Sequence, residues 1–164
     1  MSRLLLVLLV AFVYINAAYA EDQLPEKFYG RYEMDRSENL DAYLTEKGYS
    51  WFTRKLVLFA KFKKIFGKTS SPTMFDFSNL STSKDTHYKN IVLGKPFEAR
   101  GLDDFNNKVE FTLKNGRLYE HHIPIEDKNA TEETYEYYFE GDVLVLHMEH
   151  NNVAAKMYFN RSSA

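Results

Sequence analysis

The sequence has no cysteine. That excludes a disulfide framework, a thiol nucleophile and a thiolate metal site. Proline and glycine are sparse, 4 and 7 of 164 residues, so there is no Gly/Pro-rich linker and no low-complexity tract to divide the chain. Neither charge dominates: 21 Lys and Arg stand against 23 Asp and Glu. A nucleic-acid footprint needs a basic excess on one face, so no nucleic-acid partner is expected. The G-x-S-x-G nucleophile elbow and the H-E-x-x-H zinc motif are also missing, and no enzyme is expected.

Only one long apolar run exists, Leu4 to Val13, behind Arg3 and ahead of Ala18-Tyr19-Ala20. A basic start, a short apolar stretch and a small-residue site describe a cleaved secretory leader rather than a membrane span. Cleavage after Ala20 leaves residues 21–164 as one domain with a single core. Loss of Arg3 moves the formal charge from −2 to about −3. A secreted, extracellular protein follows. Asn79-Leu80-Ser81 and Asn129-Ala130-Thr131 are glycan acceptor patterns, and Asn129 lies in the more polar loop. Without disulfides, such a domain needs a large and well-closed sheet.

Aromatic residues, 16% of the chain, are spread evenly, as in a β-rich protein with many half-buried positions. Phe28, Gly30, Tyr32 and Met34 alternate with Tyr29, Arg31, Glu33 and Asp35, the period of a first strand. Ser37 or Asn39 can cap a helix whose Leu40, Tyr43 and Leu44 share a face and which Gly48 ends. A second helix spans about 50–60. On it Phe52, Leu56 and Phe59 form an apolar stripe, with Val57 and Leu58 off that stripe toward solvent. Phe62, Lys64 and Phe66 alternate, which favours a strand over a helix. From Thr73 onward the pattern is strand and turn to the end. Asn115-Gly116 is the strongest hairpin signal, because both central residues must take positive φ. The count is about ten antiparallel strands: an all-β chain with a helical insertion after its first strand.

Several segments resemble one family. Gly30-x-Tyr32-x-Met34 followed by Ser37-Glu38-Asn39-x-Asp41-x-Tyr43-Leu44 is similar to the signature of the fatty-acid-binding proteins, the intracellular lipid-binding proteins. Leu40 stands where that pattern has an aromatic. Gly48-x-x-Trp51-Phe52-Thr53-Arg54-Lys55 resembles the second lid helix, and Leu93-Gly94-x-x-Phe97-Glu98 the mid-barrel turn. Gly141-Asp142-Val143-Leu144-Val145-Leu146 and Val153-x-x-Lys156-x-Tyr158 resemble the last two strands. The leader and the run Glu133-Thr134-Tyr135-Glu136-Tyr137 resemble the secreted branch known from nematodes. The resemblance implies a ten-stranded up-and-down, calycin-like barrel with a helix-turn-helix lid and a cavity for a long-chain fatty acid or related lipid. It implies no cofactor and no metal. A closed barrel without free edges is expected to be a monomer.

A fatty acid gains from burying its tail, at roughly 25 cal/mol per Å², but its carboxylate needs a partner. In the family two arginines and a tyrosine on late strands supply it. The resemblance carries the last pair onto Lys156 and Tyr158, two apart and so on one strand face. Counting back from Gly141, the other arginine's place falls to Glu136. Tyr138, His147 and Val145 on the adjoining strands complete the expected lining. Three readings of Glu136 stay open. A one-residue slip can put Tyr135 or Tyr137 inside instead. Glu136 can pair with Lys156 and make a neutral cavity for a retinoid or other uncharged lipid. Or a different cation can hold the carboxylate. A lipocalin-like binder is the other barrel reading, although lipocalins place their helix late. At the lid, Phe52, Leu56, Val57, Leu58 and Phe59 form the expected portal, and Lys55 and Lys61 suggest transient contact with anionic membranes. His121 and His122 are neighbours on a strand, so they point to opposite faces and share no metal.

Overall fold

In a computed structural model of the protein, residues 22–101, 105–126 and 130–163 are described. Leader cleavage at Ala20 and glycosylation at Asn129 fall outside them.

Ten strands make one antiparallel sheet. They are β1 (Gly30–Glu38), β2 (Lys63–Lys68), β3 (Phe75–Leu80), β4 (Asp85–Ile91), β5 (Phe97–Arg100), β6 (Asn106–Lys114), β7 (Arg117–Pro124), β8 (Glu133–Glu140), β9 (Val143–His150) and β10 (Val153–Ser162). The sheet order is β4-β3-β2-β1-β10-β9-β8-β7-β6-β5. Every strand pairs with its sequence neighbour except at one seam, and β1 pairs with β10. The sheet thus curls into a nearly closed barrel whose open seam lies between β4 and β5. Gly94 spans that seam region, its N–H donating to the carbonyl of Phe111 on β6 at 2.8 Å. Two helices, α1 (Leu40–Glu46) and α2 (Trp51–Phe59), follow β1.

Local chemistry accounts for these elements. The β6–β7 hairpin turns at Asn115 and Gly116, both with positive φ, 52° and 72°, the type I′ requirement. Asn39 precedes α1 in the left-handed region, with φ 56°. It makes no side-chain cap; its amide instead donates to the carbonyl of Ala154 at 2.7 Å and ties the helix entry to β10. Ser50 does cap α2, accepting from the N–H of Thr53 at 3.2 Å. Leu40, Tyr43 and Leu44 of α1 are buried, and α1 packs on β9 and β10.

Ring contacts define the inside. Tyr137 of β8 meets Phe66 of β2 and Phe77 of β3, each at 6.0 Å. Phe77 meets Phe111 of β6 at 5.4 Å. These strands are not sheet neighbours, so the rings touch across the barrel. Edge-on aromatic pairs of this kind add to simple area burial. At Gly30 the backbone takes φ 143°, and the guanidinium of Arg161 occupies the space a Cβ would need. Arg161 donates there to the carbonyls of Tyr29 (2.7 Å) and Lys27 (2.8 Å), closing the barrel's far end.

Candidate ligand-binding site and lid

Strand alternation sorts every side chain inward or outward. On β2, Phe66 belongs to the core, so Lys64, two residues away, shares the inner face. On β3 Phe75, Phe77 and Asn79 face in. On β7 Leu118, Glu120 and His122 face in, and on β8 Tyr135, Tyr137 and Phe139. On β9 Leu144, Leu146 and Met148 do so, and on β10 Ala155, Met157 and Phe159. This wall is aromatic and aliphatic with a small polar set inside it.

Lys64 and Glu120 anchor that set. Each is 4% exposed, and they are the two charged residues buried among those described. The Lys64 ammonium donates to Asn79 Oδ1 at 2.8 Å and lies about as far as cation–π contact reaches from three rings, Phe77, Tyr137 and Phe159. Glu120 Oε1 accepts from His122 Nε2 at 2.8 Å, and Oε2 accepts from the Tyr137 hydroxyl at 2.7 Å. Burial pushes the Lys64 ammonium down to about 8, against the pull of Glu120. Burial works to raise the Glu120 carboxyl, but His122, Lys64 and Tyr137 together hold it below the ordinary carboxylate value. Both groups therefore carry charge near neutral pH. Nearer the lid, Lys47, just after α1, pairs with Glu133, to which the Tyr135 hydroxyl also donates.

The six residues expected to line the cavity do not meet there. Lys156 and Tyr158 alternate with core residues Ala155, Met157 and Phe159 and face outward. The Tyr158 hydroxyl donates to Glu38 at 2.9 Å, and the Arg36 guanidinium covers its ring at 3.5 Å. Lys156 lies 3.7 Å from Glu140 and over the Tyr138 ring. Glu136 accepts from Arg117 (2.8 Å), Tyr119 (3.0 Å) and His147 (3.2 Å) on the same outer wall. Val145 is fully buried but alternates with the inward Leu144 and Leu146 and is not part of their cluster; it lies in register between Tyr138 and Tyr158. On β8 the one-residue slip left open above is what occurs, since a shift of one residue moves every side chain of a strand to the other face, and Tyr135 and Tyr137 come inside. The β8–β9 turn closes with Glu140 opposite Val143, and from that pairing Tyr137, not Glu136, comes inside. Asn79, read as a glycan acceptor, is half-buried on the inner face, where its Oδ1 accepts from the Lys64 ammonium.

The lid faces are also exchanged. Phe52, Leu56 and Phe59, the apolar stripe, are 65%, 58% and 84% exposed, with Trp51 at 65%. Val57 and Leu58, read as solvent-facing, pack against the core. Arg54 fixes this orientation by donating to Asp41 of α1 at 2.7 Å. His121 and His122 do take opposite faces, bonding Glu132 and Glu120 respectively.

Lys64 was the residue sequence reasoning passed over. The signal was present: it sits between Phe62 and Phe66 on one strand face, a lysine in an apolar alternation.

No protein-family model matches the sequence. Curated proteins do. The chain is 54% identical over 142 residues to fatty acid-binding protein homolog 2 of Caenorhabditis elegans, covering 87% of this chain and 88% of that one. It belongs to the fatty-acid-binding protein family. It is also 36% identical over 162 residues to the fatty acid-binding protein homolog of Ascaris suum, covering 97% of this chain and 99% of the relative. Among solved structures, As-p18, an extracellular fatty acid binding protein, superposes with a TM-score of 0.81 at 38% identity, over 85% of this chain and 99% of As-p18. As in the family, the architecture is a ten-stranded barrel with two helices after the first strand. The inner wall of this member bears Lys64 and Glu120; none of the six arginines among the described residues is buried.

Proposed function

We propose that the protein is a secreted carrier that holds one long-chain fatty acid or related lipid inside the barrel and delivers it to membranes. The observation that supports this reading is the inner face itself: it is lined by aromatic and aliphatic side chains, with one small polar cluster among them. An acyl tail gains there by burial of apolar area, and its polar end finds hydrogen-bonding groups in the Lys64–Glu120 cluster. Names of relatives point the same way, and As-p18 is extracellular by its own description. The leader pattern ending at Ala20 supports export.

Delivery rests on α2. Trp51, Phe52, Leu56 and Phe59 are exposed on a short helix over the barrel, a grouping that suits insertion into a bilayer surface. Lys55 and Lys61 lie beside it and favour an anionic surface. A single barrel whose sheet has only two short edges is expected to work as a monomer.

Native purification of the secreted protein, solvent extraction and mass spectrometry test the carrier reading. Stoichiometric recovery of a long-chain lipid, with a mature chain beginning at Glu21, is the expected result. Lipid-free protein that also fails to take up added lipids would refute it.

A further inference from the structure

Lys64 is the one buried lysine among the described residues, and the carrier reading uses its nitrogen only as a hydrogen-bond donor. On β2 it lies in register between Tyr32 of β1 and Asn79 of β3. Its side-chain hydrogen bond goes to Asn79 Oδ1, at 2.8 Å. The ring centroids of Phe77, Tyr137 and Phe159 stand 5.8 Å, 5.8 Å and 5.9 Å from the nitrogen. One of three N–H groups is thus spent on Asn79, and three aromatic rings surround the rest. Desolvation by these walls moves the ammonium toward the free amine, to about 8, against the attraction of Glu120. Glu120 has hydrogen-bond partners of its own in His122 and Tyr137. The other described lysines are exposed or half-buried, and among them Lys63, Lys68 and Lys89 pair with Glu33, Glu26 and Asp76.

A desolvated lysine amine is a nucleophile toward carbonyl carbon. An imine in bulk water hydrolyses readily, whereas a site walled by aromatic rings excludes the water that hydrolysis needs. Conversion also removes a cost, because burial opposes the charged ammonium and an imine nitrogen can stay neutral. The wall around Lys64 is the wall that takes the acyl tail, so an aldehyde that enters as the lipid does brings its carbonyl carbon to this nitrogen. We infer that the barrel captures long-chain aldehydes covalently, as an imine on Lys64. The ammonium first gives one proton to solvent. The nitrogen lone pair then forms the C–N bond. The carbonyl oxygen takes the two remaining amine protons and leaves as water, and C=N remains. Nothing is oxidised or reduced. A fatty acid or alcohol offers no such carbon and binds without a covalent bond. This inference rests on the lipid-carrier reading and adds a class of ligand to it.

Delipidated full-length mature protein is incubated at about pH 8 with hexadecanal and sodium cyanoborohydride, which reduces an imine to a stable secondary amine. Intact mass and peptide mapping then locate the alkyl group. At that pH about half of Lys64 is free amine, more than about a hundred times the fraction on a lysine of ordinary value. One alkyl group per chain is expected, on Lys64, with each surface lysine labelled at least about tenfold less. Excess hexadecanoic acid should suppress the label by occupying the barrel. Lys64→Met should lose the single adduct and keep only the surface background; if that variant does not fold, the wild-type peptide map decides alone. Label spread over surface lysines, label on Lys64 that hexadecanoic acid does not suppress, or hexadecanal bound with no adduct on Lys64 overturns the inference but leaves the carrier reading intact. Failure of both hexadecanal and hexadecanoic acid to bind overturns the carrier reading and this inference with it.

Discussion

At the residue scale, the informative side chain is Lys64, and its pH behaviour is a direct consequence of burial. Its folded-state value near 8 lies below the ordinary 10.5. The unfolded chain therefore binds more protons than the folded one between those values, and stability rises with pH across that window. Relative to Lys64→Met, the wild type should gain about 2 kcal/mol between pH 7 and pH 9.5, taking about 1.4 kcal/mol for each pH unit above 8. Denaturant melts of both proteins at the two pH values measure it, and the comparison cancels the tyrosines. A constant difference would mean that Lys64 keeps an ordinary affinity for its proton. Lys156 and Tyr158 make the opposite case. Because they bond Glu140 and Glu38 on the outer wall, Lys156→Met with Tyr158→Phe should leave lipid affinity within about twofold and cost no more than about 1.5 kcal/mol of stability. A tenfold loss of affinity would return them to the cavity.

At the element scale, most of the fold was legible. All ten strands, both helices and the Asn115-Gly116 turn stand out because alternation, caps and positive-φ residues are local signals. Which face of an element points inward is not local. Phe52, Leu56 and Phe59 share a face by 3.6-residue spacing, but spacing does not say what that face meets. Here the Arg54–Asp41 bond and the packing of Val57 and Leu58 turn it outward. Glu136 follows from a count back from Gly141, and the one-residue slip left open for that count is what β8 shows, with Tyr137 in the core and Tyr135 against it; Lys156 and Tyr158 come from the family's last-strand pattern, and here they alternate with core residues instead. The outward face of α2 predicts separable effects. Phe52, Leu56 and Phe59 changed together to Ser should alter stability by less than about 1 kcal/mol, since little burial is lost, while slowing lipid transfer to anionic vesicles severalfold. Val57→Ala with Leu58→Ala should destabilise by about 1–3 kcal/mol. Stopped-flow transfer to fluorescent vesicles and thermal melts read the two. Transfer that is indifferent to both vesicle concentration and the serine changes would remove α2 from delivery.

At the scale of the whole molecule, the absence of cysteine and the closure of the sheet belong together. Ten strands with β1 zipped to β10 leave two edges, β4 and β5, and the cross-barrel rings from Phe66 to Tyr137 and from Phe77 to Phe111 join opposite walls without a covalent bond. Stability is then uneven. β1, β8, β9 and β10 are paired on both sides and carry Tyr32, Tyr137, Leu144 and Phe159, each fully buried. β4 and β5 are paired on one side only, and α2 buries no residue fully. Opening for a lipid must draw on the weaker parts. Native-state hydrogen exchange should find the amides of α2, β4 and β5 opening first, at free energies well below the global value, with β1 and β8–β10 exchanging last. Loading with lipid should slow the first group most, because a guest fastened between lid and wall stabilises the closed form by mass action. If instead β9 and β10 open before α2 and the seam, entry does not run through this end of the barrel, and the lid is a structural cap rather than a gate.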